Sequence, residues 1–515
     1  MLPPYINAPV APSRTRRAAV FALQLFAAGA NGAAAVALPP QAVVVLIVPI
    51  IICLLIVLWI MPDRPSFPLA EILRIYSITL FLMLAWPNYI AIVLPGLPWL
   101  TPTRIALFVL TFLFLYSVST SSALRHHLVI VAQSSTLLWV AFLIWQVSMI
   151  ISLPFSAALS DSVKGLFDNE LRLAQMFFIG CLVFARRGGP TMTIRLILIM
   201  AFVSAIDGFI ELRLGYPPWA YSIPSFMKID DAALTNILGS QARSDDGLYR
   251  VHGPYVNSLV FSEFLAMCTP FILHYLLTGR TAGIRVAMAF LWPLVIAAIL
   301  ATQSRLGLIG TLLSVGIYVP LWAYRQWRTN STSIIGPTLL FGAPVIAGAL
   351  MGVIFSSHTL TTRVLGGGAQ ASSDDARVIQ RNMAIPKVAT YPIGHGLGQS
   401  GTVLGFVSPN GQLTVDNHYL TTLLDLGIPG AIGLYGMFVS ISFLGIIVYL
   451  KTDDRETELI GPAAIMCFNF FVIKSVLSQE QNHSLAFLLL GMVVALRARA
   501  MKLIDPDDLF VKKVG

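Results

Sequence analysis

The sequence predicts an all-α polytopic integral membrane protein with about fourteen transmembrane helices and two large loops on its outer face. Composition, the recurrence of long apolar runs and the placement of basic residues each point that way. Of 515 residues, 57% are hydrophobic and 11% charged, and the mean hydropathy is +0.79. A soluble domain carries roughly 25% charged residues, so most of this chain is solvated by something other than water.

Apolar runs of roughly 17 to 25 residues are long enough to cross a ~30 Å hydrocarbon core. They fall at 18–38, 41–60, 70–94, 104–120, 135–154, 170–185, 191–212, 258–277, 285–302, 306–324, 334–356, 430–450, 460–477 and 484–497. The first run is long and followed directly by a second, which marks a retained helix rather than a cleaved leader. Orientation follows because short basic loops stay in the cytoplasm. Arg14, Arg16 and Arg17 precede the first run. Strict alternation then puts Arg64, Arg125, Arg186, Arg187, Arg280, Arg285, Arg325, Arg328, Lys451, Arg455, Arg497, Arg499 and Lys502 on that same side. The opposite connections at 39–40, 95–103 and 478–483 carry no Lys or Arg. An even span count with both ends inside satisfies both patterns. Residues 1–515 then form a single membrane domain, ending in a short charged cytoplasmic tail at 498–515.

The net charge of +9 sits largely in those inner loops and implies no nucleic-acid surface. Cys53, Cys181, Cys268 and Cys467 all lie in apolar runs without CxxC spacing, which argues against a disulfide framework or a zinc site. Glu263, inside an apolar run, is expected either to face a cavity or to hydrogen-bond a neighbouring helix. Asp207 and Glu211, one turn apart, are expected to pair with Arg213 or an outer arginine, and Lys474 to snorkel outward. Asp230-Asp231 and Asp245-Asp246 read as solvated pairs, and no metal site is expected.

Two outer segments, 213–257 and 357–429, are polar, rich in Gly, Pro and Ser, and too long to be plain connectors. The second contains Gly366-Gly367-Gly368 and Ser372-Ser373-Asp374-Asp375, which are expected to be mobile. From Ala376 to Ile385 the spacing becomes helical: Ala376, Ile379 and Met383 share one side, and Pro386 is expected to stop the helix. A short amphipathic helix near the outer membrane face is the expected result.

Four outer arginines break the orientation rule. Arg250 ends the first large loop, Arg305 begins a helix, and Arg377 and Arg381 lie one turn apart in the second loop. A guanidinium is planar, permanently charged and forked, and so suits phosphate. A phosphate-bearing ligand at the outer leaflet would explain the set; separate local pairing or contact with lipid headgroups would explain each singly.

Four elements in order carry a family resemblance. They are Arg250-x-His252-Gly253-Pro254-Tyr255-x-Asn257, Gln303-Ser304-Arg305-Leu306-Gly307, Pro392-Ile393-Gly394-His395-Gly396-Leu397-Gly398, and Asp416-Asn417-x-Tyr419-Leu420 followed by Gly427-Ile428-Pro429-Gly430. Over residues 240–445 this arrangement resembles the bacterial O-antigen ligase and Wzy-type polysaccharide polymerase superfamily. The resemblance implies a metal-independent, cofactor-free glycosyltransferase of the inner membrane, with its active site at the periplasmic face. Its donor would be a glycan on undecaprenyl pyrophosphate and its acceptor a hydroxyl of another glycan, in O-antigen or exopolysaccharide biosynthesis. A chain-length regulator protein would be a partner. In ligases of the family the position of Asp416 is usually histidine, within a His-Asn-x-x-Leu pattern. Aspartate here, with His418 two residues later, points to a polymerase over a ligase acting on lipid A-core.

The residue types suit such chemistry. Attack of a sugar hydroxyl on an anomeric carbon needs a base for the acceptor and stabilisation of the departing pyrophosphate. Asp416, a carboxylate at the apolar boundary of a helix start, is one candidate base, and His418 is the other. Were 416–426 helical, the two would point about 200° apart and would not share a role. Arg305 is the expected pyrophosphate ligand, with Arg377 and Arg381 supporting it from a loop that closes over the donor. Arg250, His252, His395, Asn417 and Tyr419 are further candidate substrate contacts. The glycine turn 394–398 either offers N–H groups to phosphate or simply joins helices. The rival class is a lipid-linked oligosaccharide flippase, but transporters usually show repeat halves and broken mid-membrane helices. This chain instead gathers its ionisable groups in outer loops of the C-terminal half.

Overall fold

The computed structural model describes residues 56, 61, 63–64, 67–93, 99–227, 249–330, 332, 334–342, 356, 371–408, 411 and 413–506, with backbone alone at 371–374. The expected span 18–38, all but residue 56 of 41–60 and most of 334–356 lie outside them, as do residues 228–248 of the first large loop and the tri-glycine run. Every named element is helical. In chain order these are α1 (Leu69–Ala85), α2 (Pro102–Thr120), α3 (Ser122–Gln133), α4 (Thr136–Ile151), α5 (Leu159–Asn169), α6 (Gln175–Val183), α7 (Gly189–Leu214) and α8 (Ser258–Thr278). They continue as α9 (Ala282–Ala301), α10 (Arg305–Thr329), α11 (Ala371–Thr390), α12 (Ser400–Leu404), α13 (His418–Tyr449), α14 (Ile460–Ile473) and α15 (His483–Ala500). Among the described residues, eight helices are long and apolar enough to cross a membrane. The chain is a multi-pass α-helical membrane protein.

Seven of those eight begin and end within a few residues of the expected runs; the eighth, expected at 430–450, starts at His418 instead. The expected spans 70–94, 170–185 and 460–477 fall on the shorter helices α1, α6 and α14. Helix α6 continues α5 through a π-helical turn, Glu170–Ala174. Hydropathy hides that continuity because the first half, with Asp161, Lys164 and Asp168, is polar. Helix α3 was not expected: Ser121 caps it by accepting from Leu124 N–H, and Leu124, His127 and Val131 face inward.

Helices α8 and α15 are buried on nearly all sides, whereas α9 turns Val286, Phe290 and Leu300 outward as a lipid-facing helix does. Small residues set the closest crossings, as expected where lipid supplies no hydrophobic drive between helices. A Cβ on Gly491 of α15 would lie 2.4 Å from the Phe177 carbonyl oxygen of α6, and one on Gly180 2.5 Å from that of Leu488. Gly433 brings α13 onto α4, where a Cβ would meet Trp145 N at 2.6 Å.

The two ends of the bundle differ in charge. At one, Arg499 pairs with Glu456 at 2.9 Å and Asp454 at 3.3 Å, Arg325 with Glu458 at 2.8 Å, and Arg497 Nε donates to the Ser134 carbonyl at 2.6 Å. The opposite end gathers the ends of α7, α9 and α14 with the starts of α8, α10, α13 and α15, and there the motifs meet.

Candidate functional site

The site is built on helix N-termini whose caps and close packings are written in the motifs. Asn257 caps α8, its Oδ1 accepting from Val260 N–H at 2.9 Å. Gln303, at φ 53, makes the left-handed step between α9 and α10. Ser304 meets Ser262 of α8 at 2.9 Å, and a Cβ on Gly307 would lie 2.8 Å from Ser262 Cβ. The Gln-Ser-Arg-Leu-Gly motif thus presses the start of α10 onto α8 and leaves Arg305 half-buried at the rim. Arg250 is tied to the same corner, donating from Nε to the Thr302 carbonyl at 3.1 Å. Leu306 then packs on Ile473 and Leu477, whose chain neighbour Lys474 accepts at its carbonyl from His418 N–H at 3.2 Å. Two sequence-remote motifs are joined by that contact.

Asn417 caps α13, accepting from Tyr419 N–H at 2.8 Å and Leu420 N–H at 3.4 Å. Tyr419 donates to the Phe471 carbonyl at 2.5 Å and packs edge-on against Tyr435, so it is anchored inward. The helix begins at His418, so Asp416 precedes it and the expected helix over 416–426 does not include Asp416. His418 is buried, its Nδ1 bonded to Tyr435 Oη at 2.6 Å and its Nε2 facing Glu480 at 3.6 Å. Asp416 is half-buried just outside the helix, held by Gln380 and Thr414.

The helix expected at Ala376–Ile385 is longer: α11 runs from Ala371 to Thr390, starts in the Ser-Ser-Asp-Asp stretch expected to be mobile, and passes through Pro386. Acidic residues suit a first helical turn. The proline is tolerated because Ala384, Met383 and Val388 pack on Leu404, Val415, Leu420 and Leu424, and Lys387 Nζ donates to the Leu404 carbonyl at 3.1 Å. Arg377 is half-buried and Arg381 exposed on this helix.

The loop expected to reach 429 ends early because Gly427, at φ 70 and ψ −171, lets two helical segments join at a kink, with Pro429 following. The turn 394–398 is stitched into that kink. His395 N–H donates to the Leu424 carbonyl at 2.9 Å and Gly396 N–H to that of Asp425 at 2.9 Å. Gly398 and Ser400 N–H donate to the Asp425 carboxylate at 3.0 and 2.6 Å. These N–H groups therefore have internal partners, and the turn acts as a splint. His252 is likewise internal: Glu211, fully buried, accepts from His252 N–H at 3.1 Å, Gly253 N–H at 2.7 Å and Tyr249 Oη at 2.7 Å. Glu211 thus folds the Arg250 loop rather than pairing with Arg213 or an outer arginine.

Four residues, Lys474, Asn482, Glu480 and Arg172, carry weight that sequence reading missed or misplaced. Lys474 does not snorkel; its Nζ meets Glu263 Oε1 at 2.9 Å with neither side chain exposed, and also donates to the Gln479 carbonyl at 2.7 Å. Asn482 closes the group by donating to Glu263 Oε2 at 2.9 Å. Glu480 links His418 to Arg172, 3.4 Å away in the π-turn, and Arg172 also pairs with Asp168 at 2.5 Å. Against the opposing effect of burial, contact with His418 and the charges of Arg172 and Lys474 hold the Glu480 carboxyl down to about 2. Nothing in the local pattern of Arg172 or Glu480 marks them, although a basic residue in an outward-facing apolar run was a readable anomaly.

His418, Glu480 and His483 place one potential metal-ligand atom each within 4.8 Å of one another. A metal ion bound in the described part of the site would have these three as its ligands. Arg172 competes for the same carboxylate, and the charge of Lys474 nearby raises the cost of another cation.

Fold and site define a multi-pass membrane protein with a polar site at one end of its bundle, where the Asp416 carboxylate is half-buried. Residues 265–435 match the family model described as O-Antigen ligase, a match that supports the resemblance to the O-antigen ligase and Wzy-type superfamily. No curated protein matches the chain. The family is one of glycosyl-transferring enzymes that act in surface polysaccharide synthesis on lipid-linked glycans.

Proposed function

We propose that this protein is a periplasmic-face polysaccharide polymerase of the bacterial inner membrane, with both termini cytoplasmic. It extends O-antigen or exopolysaccharide by joining glycan repeat units carried on undecaprenyl pyrophosphate. A hydroxyl oxygen of the acceptor glycan attacks the anomeric carbon of the donor, and its proton passes to the Asp416 carboxylate. The bond from that carbon to the pyrophosphate oxygen breaks, and lipid pyrophosphate leaves with the electron pair. Arg305, Arg377 and Arg381 face the growing negative charge, where fixed cations act most strongly in a site from which water is excluded. Arg250 supports Arg305 from the adjoining corner, and Asn417, Tyr419, His252 and His395 shape the surroundings. No metal takes part at the reacting atoms. A chain-length regulator is the expected partner.

One observation carries the choice of base: His418 is buried, with Nδ1 bonded to Tyr435 and Nε2 turned to Glu480, whereas Asp416 is half-exposed on neutral donors. The second reading, a ligase moving finished glycan to lipid A-core, is favoured by the match to a family described as O-Antigen ligase. A flippase is the least supported, since the matched family is one of glycosyl-transferring enzymes.

The deciding experiment replaces wild type with Asp416→Ala and profiles both surface glycan and lipid-linked intermediates. Loss of the polymer ladder, with single repeat units accumulating on lipid, is the expected result. Full-length polymer retained on its lipid carrier would make the protein a ligase, and an unchanged profile would remove Asp416 as base.

A further inference from the structure

What aims the Asp416 carboxylate lies on a different element. Gln380 of α11 is fully buried, and its amide meets Asp416 twice. Its Oε1 accepts from the Asp416 backbone N–H at 2.9 Å, and its Nε2 donates to Asp416 Oδ2 at 3.3 Å. The other carboxylate oxygen, Oδ1, accepts from Thr414 Oγ1 at 3.4 Å. Pairing with both a backbone donor and a carboxylate acceptor requires a donor and an acceptor on one planar group, and a side-chain amide supplies both. Because the donors are neutral, they orient the carboxylate without the charge neutralisation that an arginine or lysine partner would impose.

Gln380 stands three residues after Arg377 and one before Arg381. The packing of Ala384, Met383 and Val388 on Val415, Leu420 and Leu424 holds α11 against the start of α13. The helix that bears the two arginines therefore also grips the carboxylate. We propose that Gln380 is a positioning residue for glycosyl transfer, its side-chain amide holding the Asp416 carboxylate in register with the arginine-bearing helix. This rests on the reading of Asp416 as the base. Withdrawal of α11 releases the carboxylate, so donor engagement at the arginines and alignment of the base are coupled.

The test uses purified full-length protein in lipid vesicles with lipid-pyrophosphate-linked glycan extracted from the source cells. Gln380→Met keeps the length but removes both partners; Gln380→Glu keeps the shape and the acceptor but sets a negative charge against Oδ2. Both are expected to lower kcat by about tenfold to a hundredfold, the range a misaimed catalytic group costs. Donor KM is expected to stay within about threefold of wild type, because the interaction serves the transition state rather than binding. Arg377→Ala is expected to show the opposite split, raising donor KM. Should Gln380→Met fail to reach the membrane, Gln380→Glu carries the test alone. A kcat within about twofold of wild type in the folded variants, or kcat and KM worsening together, overturns the proposal. Asp416→Ala separates the two readings. If that variant is inactive while Gln380 variants match wild type, only the Gln380 proposal falls. If it is active, the base assignment falls and takes Gln380 with it.

Discussion

Lys474 and Glu263 meet with neither side chain exposed, and their partners fasten α8 to the 474–483 loop that presents Glu480. Removing one partner of a buried ion pair strands the other charge, at a cost of about 3–5 kcal/mol, whereas replacing both with apolar residues is often neutral. Lys474→Met alone is therefore expected to lower thermal stability in detergent sharply, and Lys474→Met with Glu263→Leu to recover most of it. Equal instability of single and double variants would show that packing, not charge, holds the loop. The trio of His418, Glu480 and His483 gives a second residue-scale expectation. Because Arg172 and Lys474 act on the same group, transfer from purified donor is expected to survive EDTA. Loss of activity that a divalent metal restores would assign that trio a metal.

At the scale of elements, the kink at Gly427 sets where α13 begins and where the glycine turn docks. Its φ of 70 and ψ of −171 lie in a region that only glycine adopts readily, and a Cβ would lie 2.1 Å from the Pro392 carbonyl oxygen. Gly427→Ala is expected to cost about 3 kcal/mol or more from strain and displacement together. Thermal unfolding of the purified variant measures this, and a melting temperature equal to wild type would refute it. The motif Gly427-Ile428-Pro429-Gly430 was legible as a break in the sequence. Its place within one continuous element was not, because nine residues of helix before it hold a histidine, an aspartate and two threonines and read as loop. Helix α11 shows the reverse: tertiary packing carries a helix through Pro386, where local rules end it.

At the scale of the whole molecule, the basic loops gather at one end of the bundle and the site at the other. The proposed orientation puts the site end in the periplasm. Tyr391 is 51% exposed at the site end, while Asp453 is exposed at the basic end. Cys181, Cys268 and Cys467 are buried and contribute little background. Tyr391→Cys is expected to react with a membrane-impermeant maleimide in cells with a permeable outer membrane, and Asp453→Cys only after the inner membrane is opened. Reversed labelling would invert the topology and place the site on the cytoplasmic side.

The sequence by itself determined the class, the approximate spans among the described residues and the motif residues that carry the family resemblance. Hydrophobic length and basic-loop bias act locally and do not depend on which helix touches which. Only the tertiary structure separated Asp416 from His418, since both ring nitrogens of His418 are engaged by residues 17 and 62 positions away in the chain. It also brought in Arg172, Glu480, Lys474 and Gln380. Buried polar groups must find partners within the fold, and in a helical bundle those partners come from distant segments that no local pattern connects.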